Sequence, residues 1–366
     1  MPCKIILILI LSVVSINCRQ DTNIRKNVDT VKTKDIEIKN ENEEIVSIIG
    51  VGDIMMGTNY PSAGSLPPDD GKYLFDDVKE ILKNADITCG NLEGTFLDKG
   101  GTPKRCNDSG NCHSFRMPTR YAEYLYDAGF DFMNLANNHS GDMGLEGRES
   151  TYRTLEKNEI SFAGTLDYPA AILEVEGIKY GFAGFAPNNG TVSLINIKKA
   201  KEIISDLKAE SNIVIVFFHG GAEGNSAQRV SRYNETYLGE NRGNVFEFAH
   251  AVIDAGADIV FGSGPHVTRA IELYKDRIIA YSLGNFCTYG KFGLSGATGI
   301  TPIIKIFINK SGEFVRGEIT PIKQIKRGFP VIDTDNTAIK TIKSLTKKDF
   351  PDTELNISDE GKIEKK

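Results

Sequence analysis

The sequence lacks several features, and some of those lacks remove a class of function. Tryptophan is absent and histidine occurs only five times. Acidic residues outnumber basic ones, 49 to 43, for a net charge of −6, so the chain carries no basic footprint for nucleic acid. No internal repeat is visible, which argues against a solenoid or an array. The apolar run at residues 5–16 is too short to span a bilayer. The 366 residues are 40% hydrophobic and 25% charged. That is an ordinary globular composition, sufficient for one large α/β domain or two smaller ones.

The N-terminus reads as an export signal. Lys4 precedes the apolar run, whose length suits a signal-peptide core, and the run leads into Ser15-Ile16-Asn17-Cys18. A cysteine directly after such a core resembles a bacterial lipobox, although Ser15 and Asn17 stand where Leu and Gly or Ala are usual. Residues 1–18 are therefore expected to be a signal peptide, with Cys18 lipidated and anchoring the chain to a membrane outside the cytoplasm. The alternative is plain secretion, with Cys18 an unpaired thiol in a cleaved peptide. Residues 19–44 are polar and of mixed charge, too poor in apolar anchors to build a core, and read as a flexible linker. Export makes Cys106 and Cys112, in CNDSGNC, a candidate short-loop disulfide. A zinc site there would need a second Cys or His pair that the neighbourhood does not supply. Cys89 and Cys287 lie in apolar segments and read as buried free thiols.

From residue 45 the pattern changes. The stretch EEIVSIIGVGDIMMGTNYP, at 43–61, carries an apolar run ending in Gly52-Asp53. Such a run bounded by turn residues predicts a strand buried on both faces, with Asp53 just past its C-terminal end, where open α/β sheets place their ligands. Asp53 could equally cap a turn. Helical spacing follows at 73–85, 119–129, 144–157, 196–210 and 244–256, alternating with apolar segments that read as strands. Residues to about 323 look β-rich, 337–348 reads as a short helix, and the Asp/Glu/Lys tail reads as disordered. Alternating strands and helices point to α/β layering, with a mixed or second sheet at the end.

Five apolar segments each end in a polar cluster: Asp53 in VGDIMMG, Glu93 in GNLEGTF, Asn138-His139 in LANNHSGD, His219 in FFHGGAEG and His266 in GSGPHV. Each alone has a structural explanation, such as a cap or a surface contact. Together they mark one edge of a sheet, because parallel strands gather their C-terminal ends. Asp, Glu, Asn and His form a mixed oxygen and nitrogen donor set, suited to zinc, manganese or iron rather than to a thiolate site. One or two such divalent ions, sharing a carboxylate, could polarise a water for attack on a phosphoester. Of the remaining histidines, His250 reads as a helix packing residue and His113 as a surface loop residue.

The segments VGDIMMG, GNLEGTF, NLANNHSGDMG, HGGAEG, LGENRGNVFEFAHAVIDAGADIVFGSGPHV and IIAYSLGNF resemble the CapA family of poly-γ-glutamate capsule synthesis proteins over about residues 46–320. The resemblance implies a four-layer α/β/β/α sandwich of the metallo-dependent phosphatase type, spanning 45–325, with 326–366 a partly disordered extension. It implies metal ligation by Asp53, Glu93, Asn138, His219 and His266. His139 would be the catalytic residue, acting on the leaving group or the transition state. Glu223 would steady a ligand, Asn285 would line the site, and Arg242 and Arg269 become candidate anion contacts or else ordinary ion pairs. Phosphoesterases of this type usually begin with Asp-x-His and end with two nearby histidines. Here Met55 and Gly264 stand at those positions, so two expected imidazoles are missing. The expected role is an envelope-anchored, metal-dependent hydrolase or transferase acting on an anionic polymer, with membrane synthase subunits as partners. The alternatives are a non-catalytic polymer-binding subunit and, with less use for a metal-ligand set, a periplasmic small-ligand binding protein.

Overall fold

The structure, a computed structural model, describes residues 45–105 and 113–366. The leader, Cys18, the linker and the Cys106–Cys112 pairing lie outside those residues. Cys89 and Cys287 are buried free thiols. Among the described residues no helix is long and apolar enough to cross a membrane.

Two large sheets pack face to face. The first has ten strands. Val46–Met55 lies near its centre, beside Ile87–Leu92, then Phe132–Asn134 and Ser161–Ala163, all parallel. On the other side Ile300–Ile308 and Phe314–Ile325 run antiparallel, and Asn285–Thr288 pairs in parallel with the end of the first strand. The second sheet has six strands, with Ile178–Phe185, Ile213–His219, Ile259–Ser263 and Arg277–Ala280 parallel at its centre. Every residue of Val46–Met55 is buried, as is every residue of Ile213–His219. That is the double-sided burial their unbroken apolar runs predict.

The layer between the sheets is aromatic and aliphatic. Phe132 of the first sheet stacks on Phe182 of the second, centroids 4.2 Å apart, and Phe217 and Phe261 complete the cluster. Gly50 permits this approach, since a Cβ there would lie 2.6 Å from the Phe261 ring. Each such buried ring contributes roughly 1.5–3 kcal/mol. The outer face of the first sheet is covered by Ala122–Asp127 and Gly144–Lys157. The outer face of the second is covered by Ile197–Glu210 and Val245–Asp254. Asn196 and Asn244 cap those last two helices, each accepting a backbone N–H from three residues on. The result is the expected α/β/β/α sandwich.

Two expectations need correction. The helix expected at 73–85 shrinks to one α-helical turn, Lys79–Leu82, reached through turns that still bury Leu74, Phe75 and Val78. The tail expected to be disordered is instead part of the sheet. Thr337–Asp349 is the helix expected at 337–348, and beyond it Leu355–Ile357 and Lys362–Lys365 add two strands beside Phe314–Ile325. Average charge concealed an alternation that buries Leu355, Ile357 and Ile363.

Candidate metal centre

Because both sheets run their central strands in the same sense, the C-terminal ends meet along one rim. Asp53 sits there inside the first strand, at an irregularity in its pairing with both neighbours. Its backbone N–H donates to the Gly284 carbonyl at 2.8 Å. Glu93 follows the second strand directly, and its N–H donates to Ile54 at 2.9 Å. His219 is the last residue of its strand, and Ser263 lies opposite it in register. His266 adopts a left-handed backbone, φ 57°, in the next turn.

These positions bring Asp53, Glu93 and His266 together, with one potential donor atom from each inside a 4.8 Å cluster. Asp53 Oδ2 lies 3.0 Å from His266 Nδ1, and His266 Nε2 is 3.7 Å from Glu93 Oε1. His219 Nδ1 is 3.8 Å from Asp53 Oδ1 and within 3.0 Å of the Ser263 hydroxyl. Several donor atoms are buried without a hydrogen-bond partner: both carboxylate oxygens of Glu93, Asn138 Oδ1, His219 Nε2 and Asn285 Oδ1. Buried polar atoms are ordinarily satisfied, so five such orphans around one cluster fit a cation-binding site. The chemistry of the donors, oxygen and imidazole nitrogen, suits a divalent ion.

Electrostatics points the same way. Burial, then the Asp53 charge beside it, pushes the Glu93 carboxyl up to about 8. Burial opposes a charge on His266, yet Glu93 and Asp53 outweigh it and raise the imidazole to about 9. His219 is held well below the usual imidazole range by burial and by the positive charges of His266 and Arg242. The cluster thus favours a positive charge at its centre while keeping His219 neutral, as a nitrogen ligand must be.

His139 stands beside this cluster, its Nε2 3.8 Å from Glu93 Oε1. Its Nδ1 is 2.7 Å from Asp142 Oδ2, and its ring stacks on Phe115 at 4.2 Å. The other oxygen of Asp142 is 2.7 Å from Lys104 Nζ. Burial lowers the His139 pKa to about 4, against the pull of Asp142. A carboxylate at that distance assigns the proton to Nδ1 and leaves the Nε2 lone pair facing the cluster.

The remaining expected residues divide. Asn138 is half-buried with its carbonyl 3.3 Å from Lys104. Asn285 is directly opposite Asp53 in register, with its amide N–H donated to Thr298 at 3.1 Å. Glu223 reaches within 3.8 Å of His266 Nε2 and ion-pairs with the buried Arg242. Arg269, a candidate anion contact or else a surface ion pair, is an ion pair, but a buried one away from the site surface. It is 1% exposed, and its guanidinium is occupied by Glu235 (2.9 and 2.7 Å) and the Ala227 carbonyl (2.7 Å). Met55 belongs to the outer hydrophobic cluster, its sulfur accepting from the Gly57 N–H. His250 is partly buried on Tyr274 and paired with Glu272 at 2.9 Å, and His113 is exposed.

Sequence reasoning missed Asn91, Asp142 and Lys104. Asn91 Nδ2 donates to Asp53 Oδ1 at 2.8 Å and lies 3.3 Å from His219 Nδ1. Its Oδ1 accepts from Asn134 (2.8 Å) and Asn137 (3.1 Å). The one available signal was proximity: Asn91 is two residues before Glu93, near the C-terminal end of the strand that Glu93 follows. Asp142 is three from His139 in a tight turn.

Fold and site together define a two-sheet α/β protein with a buried acid–imidazole cluster on one rim and a histidine–aspartate pair beside it. Residues 47–289 match the family described as bacterial capsule synthesis protein PGA_cap, and the chain belongs to that family. It is 30% identical over 273 residues to the capsule biosynthesis protein CapA of Bacillus anthracis, across 68% of this chain and 61% of that one. It is 27% identical over 334 residues to the PGA biosynthesis protein CapA of Bacillus subtilis, across 86% and 82%. Among solved structures it overlays on a 5'-nucleotidase precursor from Thermus thermophilus at 12% identity and TM-score 0.42, covering 83% of this chain and 59% of that one. The match therefore spans about three fifths of the Bacillus anthracis relative.

Proposed function

We propose that the chain is a metal-dependent hydrolase or transferase that acts in the making or export of an anionic envelope polymer such as poly-γ-glutamate. The observation that carries this reading is the convergence of Asp53, Glu93 and His266 within 4.8 Å, ringed by unpartnered donor atoms. Those three residues would hold the ion, with His219, Asn138 and Asn285 supplying the remaining orphaned donors. A bound manganese, zinc or iron ion supplies Lewis acidity toward a phosphoryl or carbonyl oxygen.

The protein's own groups supply the proton chemistry. Asp142 fixes the His139 ring through Nδ1, and burial keeps the ring neutral, so Nε2 takes a proton from the attacking group and returns it to the leaving group. Asn91 holds Asp53 in place through the 2.8 Å amide contact. Lys104, 2.7 Å from Asp142, helps to hold that carboxylate in its orientation. On this reading residues 1–18 export the chain and Cys18 anchors it by lipid at the membrane, near synthase subunits.

A second reading follows from Met55 and Gly264, which remove two imidazoles from the phosphoesterase pattern: the site would bind polymer without turnover. Metal analysis of the purified protein tests the leading reading. One or two divalent ions per chain, lost in Asp53→Ala and His219→Ala, support it. No metal, with folding unchanged in both variants, would sink it and leave the polymer-binding subunit.

A further inference from the structure

Arg148 differs from the two buried arginines already described. Arg242 and Arg269 face Glu223 and Glu235. Among the described residues Arg148 makes no such pair, and its Nε is buried without a hydrogen-bond partner. The neighbouring acids on its helix are turned elsewhere. Glu149 faces Arg153 at 3.7 Å, and Glu146 accepts the Gly101 N–H at 2.9 Å. A buried guanidinium N–H left unpaired is costly.

The guanidinium occupies a slot that two glycines leave open. A Cβ at Gly190 would fall 2.6 Å from the guanidinium carbon, and one at Gly141 would fall 2.9 Å from Nη2. Gly141 lies in the turn between His139 and Asp142. Gly190 lies in the loop that leaves the C-terminal end of Ile178–Phe185. One loop comes from each sheet, so the guanidinium packs between a loop of the first sheet, the turn that carries His139, and a loop of the second.

We propose that Arg148 is an oxyanion-binding residue of the substrate site, taking a carboxylate or phosphate group of the molecule processed beside His139. Both groups present two or more oxygens that share a negative charge, and the guanidinium fork binds such a pair through parallel N–H donors. The inference rests on the reading of this rim as the working site. It adds a residue that fixes substrate class rather than holding metal.

The test titrates the purified, manganese-loaded protein calorimetrically with a γ-linked glutamate oligomer and, separately, with inorganic phosphate. Metal content is measured in every sample. Arg148→Gln is expected to keep its metal and to weaken binding about 10- to 100-fold; Arg148→Lys, which keeps charge but not the fork, falls between. Gly141→Ala is the second variant. Gly141 is outside the left-handed region, so Ala is allowed there, and its methyl should displace the guanidinium and reproduce the loss with Arg148 present. Weakening for the oligomer alone assigns a carboxylate, and weakening for phosphate alone assigns a phosphoryl group. Unchanged affinity for both anions in Arg148→Gln overturns the proposal, as does a wild-type protein that binds neither. If the wild type holds no metal and Arg148→Gln still weakens anion binding, the metal reading fails and the assignment of Arg148 survives.

Discussion

The backbone of Gly220 occupies the space that a side chain at position 264 would need. A Cβ on Gly264 would lie 2.7 Å from Gly220 N and 2.8 Å from its carbonyl oxygen, and Gly264 itself has φ +112°. The ends of two neighbouring strands are drawn together here, with Gly220 N–H donating to Ser263 at 2.9 Å. The histidine missing from position 264 is thus excluded by packing, and the site is built around fewer imidazoles.

Gly264→Ala should therefore destabilise the fold by about 1–3 kcal/mol, from the left-handed backbone and the contact together. A shift in urea midpoint measures it. Gly264→His should do the same and gain no second metal ion; a well-folded variant with extra metal would mean that the rim can open.

His139→Ala and Asp142→Asn should separate catalysis from metal binding. Both should keep the metal content of the wild type, because neither residue is in the Asp53–Glu93–His266 cluster. Both should slow release of phosphate or of a γ-glutamyl amine by about 10²–10⁴-fold. Metal loss in His139→Ala would reassign that imidazole as a ligand.

Much of this rim was legible in the sequence because each contributing strand is a mostly apolar segment with a polar residue at or just past its end. Asp53, Glu93, His219 and His266 are all visible on that rule. Asn91 was not, since a lone Asn inside a strand gives no local sign that it will meet His219, 128 residues away. Lys104 arrives from the cysteine loop and touches Asp142 only once the chain is folded. The tail failed for a different reason: Leu355, Ile357 and Ile363 are diluted among charges, and composition averages away a period of two. Arg269 looked like an anion contact because sequence shows a charge but not the glutamate that neutralises it.

Arg269 and Glu235 supply the test of that last point. The pair is buried and tethers segment 222–235 through the Ala222 N–H, which Glu235 accepts at 2.9 Å. Arg269→Ala should leave an uncompensated buried carboxylate and cost about 3–5 kcal/mol. A polymer-contact role predicts instead a stable variant with weak polymer binding, so thermal unfolding beside a binding titration decides.

Asp131 gives a prediction whose sign can be worked through. Its carboxylate accepts the Thr88 N–H at 2.7 Å, but burial dominates and raises its pKa to about 6 from 3.8. The folded chain therefore holds this proton more tightly than the unfolded chain does. Its contribution to stability is greatest at and below pH 4, falls as pH rises through 6, and is flat above, where the cost of keeping the ion buried is fully present. The loss is on the order of 1–3 kcal/mol for a partly shielded group. Asn at this position retains an oxygen for the Thr88 N–H and carries no charge. Asp131→Asn should therefore match the wild type near pH 4 and exceed it at pH 7–8, as read from urea midpoints at both pH values. A variant weaker than wild type at pH 8 would mean that the Thr88 contact, not burial, sets the energy of this carboxylate.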